Sequence, residues 1–167
     1  HELNDVVGEA DVVVVSPDEG GVKRASKFAE GFGAVLGREV PTAFVEKTRK
    51  ADGVRGGTLV GDVDGRVAII VDDLISTAGT ITQATSAAAA GGAEAVYAAA
   101  THGLFVGPAN KRIANAPLDA LFVTNTVAPQ LTGAAGERLH ICNAAPRFAA
   151  AIRAIHTETS VSALNEV

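Results

Sequence analysis

The sequence predicts an α/β fold with an open, mainly parallel sheet and helices on both faces. Strand-like and helix-like segments alternate along the chain, and most strand-like segments are apolar throughout rather than alternating apolar with polar. Strands that are apolar on both sides need cover on both sides, which helices in the connections provide. The length of 167 residues fits one domain with a sizeable core.

The first half of the chain shows the alternation clearly. Asp11–Ser16 (DVVVVS) is a β-branched run typical of a buried strand, and apolar side chains at helical spacing predict a helix over Val22–Leu36. Pro41–Lys47 is a short strand. The polar, unpatterned Thr48–Gly57 is interpreted as a mobile loop, and residues 58–65 as a short extended piece and a turn.

The second half repeats the pattern. Arg66–Val71 is the strongest strand signal, and the helix after it ends at Gly91 and Gly92. The remaining predicted elements are a strand over Glu94–His102, a short helix over Gly107–Ala116, strands over Asp119–Thr126 and Leu139–Ala144, and a helix over Pro146–His156 with Phe148, Ile152 and Ile155 on one face.

Composition narrows the functional classes. A net charge of −5 argues against a general nucleic-acid or acidic-membrane binder, which needs surplus Lys and Arg. No apolar run is long enough to cross a bilayer, and no secretory pattern is visible. A lone cysteine, Cys142, favours a cytoplasmic protein and reads as an inert packing residue. The start at His1 and the absence of Met suggest a piece of a longer protein.

Polar clusters follow three of the predicted strands. They are SPDEGG (16–21), DDLISTAGT (72–80) and THG (101–103). Ligands of open α/β sheets bind beyond the carboxyl ends of the strands. Three such clusters therefore predict one binding edge.

The central cluster combines two chemistries. Ser76–Thr80, with its hydroxyls and Gly79, suits an anion at a helix start. Asp72 and Asp73 suit vicinal sugar hydroxyls, or Mg2+ held directly or through water. A sugar phosphate satisfies both halves; the alternative is a strand end with turn-forming Asp and a Thr helix cap.

The other two clusters are weaker signals. Gly20 and Gly21 could wrap a diphosphate without forming a Walker loop, and Asp18 is a candidate Mg2+ ligand. The cations Lys23 and Arg24 could instead be solvated helix charges. His102 fits either an active-site role or a hydrogen-bonded structural one.

Three cations, Lys47, Arg49 and Lys50, lie at the mouth of the predicted loop. They suit a lid that closes over phosphates, or an ordinary surface loop. The remaining histidines, His1, His140 and His156, have no apparent cluster partners, so no metal site is assigned to them.

Together these segments resemble a known family. VVVSPDEGGVKRA, the Lys47-Thr48-Arg49 stretch, VDDLISTAGT, THGLFVGPANKRI, LFVTNT and AAAIRAIHTETSVSAL are similar, in this order, to ribose-phosphate pyrophosphokinases. The resemblance implies a type I phosphoribosyltransferase fold. It also implies transfer of diphosphate from Mg-ATP to the 1-hydroxyl of ribose 5-phosphate, giving phosphoribosyl pyrophosphate and AMP.

The resemblance assigns roles by position. Ser76, Thr77, Ala78, Gly79 and Thr80 would hold the 5-phosphate, and Asp72 and Asp73 the ribose hydroxyls. Lys47 and Arg49 would stabilise the transition state, with Asp18 at Mg2+ and Gly20, Gly21 and His102 on the diphosphate and ATP side. Many members have Asp where this chain has Ser76, so an altered phosphate affinity is expected.

The resemblance also bears on the whole protein. Family members are about twice as long and fold as two similar halves, so residues 1–167 would be the second half of a homo-oligomeric enzyme, with no nucleic-acid or membrane partner. This piece is expected to bind ribose 5-phosphate and to form product poorly. A phosphoribosyltransferase that consumes phosphoribosyl pyrophosphate and a non-catalytic regulatory relative remain alternatives.

Overall fold

The computed structural model describes residues 2–49 and 55–165. Within these ranges the strands are β1 (Val12–Ser16), β2 (Thr42–Arg49), β3 (Arg55–Val60), β4 (Val67–Ile75), β5 (Ala95–Gly103), β6 (Ala120–Thr124) and β7 (Leu139–Cys142). The α-helices are α1 (Glu2–Val7), α2 (Val22–Leu36), α3 (Gly79–Ala90), α4 (Ala109–Asn115), α5 (Gly133–Glu137) and α6 (Ala145–His156). Short 3-10 helices cover Glu19–Gly21 and Ser162–Asn165.

The seven strands form one sheet in the order β3-β2-β1-β4-β5-β6-β7. All neighbouring pairs are parallel except β2 and β3, which run antiparallel at one edge. The predicted α/β class with a mainly parallel sheet is confirmed. From β1 the chain moves outward to β2 and later returns to β4 on the other side of β1, so the strand order reverses between β1 and β4. Such a reversal opens a crevice at the carboxyl ends of the strands.

Helices cover both faces of the sheet. On one face, α1 and α2 pack on β1 and β4 through Leu3, Ala25, Ala29 and Phe32. On the other face, α3, α4 and α5 cover the sheet through a cluster that includes Ile81. The β1 side chains Val12 to Val15 are at most 4% exposed, which explains why this strand carries no polar alternation.

Two boundaries differ from those predicted. Strand β4 does not end at Val71 but continues through both aspartates to Ile75, because β5 is long enough to pair with it as far as Gly103. The interpretation of Thr48–Gly57 as a loop is wrong at both ends. Thr48 and Arg49 belong to β2 and residues 55–57 to β3, where an antiparallel ladder satisfies the backbone of a polar segment. The part of that loop at 50–54 lies outside the described residues.

The ends of the chain also differ from the prediction. Helices α1 and α5 have only 6 and 5 residues, too few for a recognisable period, and the sequence analysis missed them. In α6, Phe148, Ile152 and Ile155 do share a face, but they are 60%, 66% and 69% exposed. In the described part of the chain, no helix is long and apolar enough to span a bilayer.

Candidate functional site

The reversal between β1 and β4 brings two of the polar clusters together. Ser16 ends β1, and Asp18 caps the short helix that follows by accepting the Gly21 N–H on Oδ1 at 3.1 Å. The Ser16 hydroxyl donates to the Asp18 carbonyl at 2.6 Å. A Cβ on Gly21 would stand 2.7 Å from the Ser16 hydroxyl and 3.3 Å from Nη1 of Arg24, so any side chain there would have to displace these groups. The loop is thus folded tightly toward the start of α2.

Arg24, in the first turn of α2, connects this loop to the central cluster. Its Nη1 donates to Oδ1 of Asp72 and its Nη2 to Oδ2 of Asp73, both at 2.7 Å. Asp72 is 17% exposed and Asp73 63%. Burial raises the pKa of the Asp72 carboxyl. The pKa of Asp73 is lowered: its slight burial raises the pKa, but the hydrogen bond with Asp72 and the charge of Arg24 together outweigh that effect. The two carboxylates, called the acid pair below, therefore share one guanidinium.

Ser76–Ala78 form the turn between β4 and α3, and Gly79 and Thr80 are the first two residues of the helix. The Ala78 carbonyl accepts the Thr82 N–H at 3.0 Å, and α3 begins at Gly79 with no side chain capping its first turn. The first N–H groups of a helix have no carbonyl partner inside it. The turn therefore presents backbone donors and hydroxyls to an anion.

The turn is strained at one residue and braced at another. Ala78 has φ 60° and ψ 12°, a left-handed conformation that is uncommon for non-glycine residues and often occurs at functional sites. Arg112, from α4, donates from Nη1 to the Thr77 carbonyl at 2.9 Å. A Cβ on Gly79 would lie 3.2 Å from the same nitrogen. A second guanidinium thus lies directly against the turn.

The carboxyl ends of the central strands also leave room for a ligand. A cavity of about 450 Å3 adjoins Asp72 on the α2 side, and its lining includes Phe28, Thr101, Phe122 and Asn143. Asp72 lines this cavity, and the chain continues from it through the end of β4 to the turn at the start of α3. The geometry therefore suits a small ligand that carries both an anionic group and hydroxyls.

Comparison with known proteins identifies the family. A sequence model described as "Phosphoribosyl synthetase-associated domain" matches residues 39–166. The chain belongs to the ribose-phosphate pyrophosphokinase family. The enzymes of that name from Caldanaerobacter subterraneus and Deinococcus radiodurans are each 44% identical to this chain over 155 residues, which is 92% and 91% of it.

A solved structure gives the same result. The phosphoribosylpyrophosphate synthetase of Mycobacterium smegmatis superposes with a TM-score of 0.78 at 35% identity, covering 94% of this chain and 49% of that one. The two pyrophosphokinases are likewise covered over 47% of their length. The chain thus spans about half the length of these relatives.

His102 is the second-last residue of β5, where it pairs in register with Leu74 of β4. Its Nδ1 is 2.7 Å from the Thr126 hydroxyl, which receives a hydrogen bond from Thr124 at 2.9 Å. The same Thr124 hydroxyl lies 2.7 Å from the Thr101 carbonyl oxygen, so its single proton is shared between the two acceptors. His102 is therefore held in a threonine network, and its assignment to the ATP side remains a prediction.

The two predicted lid cations lie on the antiparallel pair at the sheet edge. Lys47 pairs with Gly57 and Arg49 with Arg55 in the backbone register of β2 and β3. Lys50 and the side chains of Lys47 and Arg49 lie outside what the structure describes, so their catalytic role remains a prediction.

Sequence reasoning missed Arg112 and undervalued Arg24. Read on its own, each looks like a solvated helix charge. A signal was available for Arg24, which follows the glycine pair after β1 by three residues. Once β1 and β4 are paired as parallel neighbours, a cation at that position faces the acids at the end of β4. For Arg112 no such signal existed, because its contact with Thr77 spans 35 residues.

Proposed function

We propose that this chain binds ribose 5-phosphate at the β4–α3 turn and takes part in the Mg2+-dependent formation of phosphoribosyl pyrophosphate. The observation that carries the proposal is one continuous segment, Asp72–Thr80, that places an acid pair next to an uncapped helix start. Ser76 to Thr80 hold the 5-phosphate, and Asp72 and Asp73 accept hydrogen bonds from the ribose hydroxyls. The family membership of the chain supports the same assignment.

The reaction is a transfer of diphosphate from ATP. The 1-hydroxyl oxygen of ribose 5-phosphate attacks the β-phosphorus of ATP. The bond from the β-phosphorus to the oxygen that bridges it to the α-phosphorus breaks, and AMP leaves with the electron pair. The 1-hydroxyl proton is released to solvent. Transfers of this kind rely mainly on positioning and on stabilising charge. The site supplies positioning through Asp72, Asp73 and the turn, while Lys47 and Arg49 stabilise the charge on the transferred group.

Oxygen ligands suited to Mg2+ are present at this edge of the sheet. Asp18, Asp72 and Asp73 supply carboxylates, although no group of three or more acidic, His or Cys side chains converges on a metal position within the described ranges. Mg2+ bound by phosphates needs only one or two protein carboxylates. Asp18 is the protein ligand we assign to it, and when bound the ion neutralises charge on the ATP phosphates.

The experiment that tests the proposal measures the formation of AMP. The purified protein is incubated with ATP, Mg2+ and ribose 5-phosphate, and in parallel with phosphoribosyl pyrophosphate and a panel of bases. We expect AMP to form only when ribose 5-phosphate is present. The rate should be low for this chain and higher when the chain is fused behind the first half of a relative.

Lys47→Ala should lower the rate of the fused protein about 100-fold or more, as expected when a donor to a transition-state charge is removed. Base-dependent release of diphosphate without AMP would assign the chain to the phosphoribosyltransferases instead.

A further inference from the structure

The acid pair suits two ligands that differ in charge. Two adjacent carboxylates can accept hydrogen bonds from the neutral hydroxyls of a sugar, and they can also ligate a divalent cation directly. The sequence does not decide between these ligands. The structure adds a third group, because Arg24 donates one hydrogen bond to each carboxylate at 2.7 Å.

We propose that Arg24 is a specificity-determining residue that commits the acid pair to the sugar hydroxyls and keeps a divalent cation from direct ligation by both carboxylates. The inference rests on the proposed ribose 5-phosphate site. It assigns to Arg24 a positioning role and does not assign it a contact with the reacting atoms.

The first argument is charge. Without a partner, Asp72 and Asp73 carry two negative charges side by side, which attracts a divalent cation. The Arg24 guanidinium lies against both carboxylates and halves that net charge. A cation at the acid pair would also have to approach this guanidinium. Sugar hydroxyls are neutral and meet no such repulsion.

The second argument is geometry. The two Arg24 hydrogen bonds fall on Oδ1 of Asp72, which also accepts the Asp73 N–H at 2.9 Å, and on Oδ2 of Asp73. Arg24 thus binds one oxygen of each carboxylate and leaves the other oxygen of each clear of its guanidinium. Two acceptors held in fixed orientation suit two vicinal hydroxyls, because little freedom remains to be lost on binding.

The third argument is the way in which Arg24 is held. Its helix is fixed on the sheet by Ala25 and Ala29, which are 1% and 4% exposed. Gly21 leaves space for the guanidinium, since a Cβ there would stand 3.3 Å from Nη1. A planar fork that reaches two carboxylates at once is a property of arginine that lysine lacks. The position is built for a guanidinium and not merely for a positive charge.

The test titrates three proteins with two ligands. Wild type, Arg24→Gln and Arg24→Lys are each titrated with Mn2+, as a probe for divalent cations, and separately with ribose 5-phosphate. Arg24→Gln should bind Mn2+ about tenfold more tightly or better, the effect of removing one unit charge a few Å away at a partly exposed site. Its affinity for ribose 5-phosphate should fall by about the same factor. Arg24→Lys should lose sugar-phosphate affinity while its Mn2+ affinity stays near wild type.

Two controls locate the effect. Arg153→Gln, on the exposed part of α6, changes the net charge equally and should leave both affinities unchanged. Adding Asp72→Asn to Arg24→Gln should abolish the gained Mn2+ affinity. The melting temperature of every variant confirms that it is folded.

The outcomes separate this inference from the proposed function. Unchanged Mn2+ and sugar-phosphate affinities in folded Arg24→Gln would overturn the role of Arg24. If wild type failed to bind ribose 5-phosphate, the proposed function would fail, and the Mn2+ titration would still report whether Arg24 keeps cations from the acid pair.

Discussion

Asp72 and Asp73 are adjacent in sequence but differ in environment. Asp72 is largely enclosed beside the cavity, whereas most of the Asp73 side chain faces solvent. A hydrogen bond to a charged group is worth more where water does not compete for it. The two carboxylates are therefore expected to contribute unequally to the binding of a sugar.

Asp72→Asn should weaken the binding of ribose 5-phosphate about 10- to 100-fold, the loss expected for a hydrogen bond to a partly buried charged group. Asp73→Asn should weaken it less. Calorimetric titration of both variants measures the difference. Glu137→Gln, at the exposed last residue of α5, is the matched control and should bind like wild type. Equal losses at the two aspartates would contradict the difference in burial.

Cys142 predicts a dependence of stability on pH. Burial, and then its hydrogen bond to Glu2 at 3.1 Å and the charge of that carboxylate, raise the pKa of the thiol to about 11. A thiol with this pKa stays protonated at neutral pH, as expected for a packing residue. Because the pKa is higher in the folded state, this thiol contributes stability below pH 9 that is lost as the pH rises toward 11.

The corresponding experiment compares wild type with Cys142→Ala from pH 8 to pH 11. The melting temperature of wild type should fall more steeply above pH 9 than that of the variant. Parallel curves would show that Cys142 titrates alike in the folded and unfolded protein.

At the scale of elements, the turn between β4 and α3 depends on α4. Arg112 holds the Thr77 carbonyl and lies close to Gly79, although it is distant from both in sequence. Arg112→Ala should weaken the binding of ribose 5-phosphate about tenfold, as expected when a charged hydrogen bond next to an anion is lost. The binding of unphosphorylated ribose should change little.

Lys111→Ala is the control for this prediction, because Lys111 is the exposed neighbour of Arg112 on the same helix. Equal effects of the two substitutions on ribose 5-phosphate would mean that α4 contributes only general positive charge. Comparable melting temperatures are expected, since both side chains are exposed.

Helices α4 and α6 make a second comparison at this scale. Both carry isoleucine on an apolar face, but Ile113 of α4 is fully buried while Ile152 of α6 is 66% exposed. Ile113→Ala should cost about 2–5 kcal/mol of unfolding free energy, and Ile152→Ala less than about 0.5 kcal/mol. Chemical denaturation measures both. A large cost at Ile152 would show that α6 is packed in solution, against a surface that the described residues do not supply.

At the scale of the whole molecule, the sequence predicted what depends on local pattern. Apolar runs such as β1 and β4 and the helical period of α2 follow from short-range spacing, and so does the segment that offers both acids and an anion-binding turn. These patterns were sufficient to predict a parallel α/β sheet with a binding edge.

What the sequence did not predict depends on distant partners. The strand at Asp72 continues because β5 pairs with it, and the polar β2–β3 hairpin is an ordered pair because the two strands satisfy each other's backbone. Arg24 and Arg112 acquire their roles from residues 48 and 35 positions away. The exposure of α6 likewise depends on what packs against it and not on its own period.

The most direct test of the account is a calorimetric comparison of three ligands on this chain: ribose 5-phosphate, ribose and inorganic phosphate. In the proposed site the acid pair would bind the sugar and the turn the phosphate. The linked ligand should then bind at least about 100-fold more tightly than either part, since the second contact becomes intramolecular. Ribose 5-phosphate that bound no more tightly than inorganic phosphate would contradict the assignment of Asp72–Thr80 as one ribose-phosphate site.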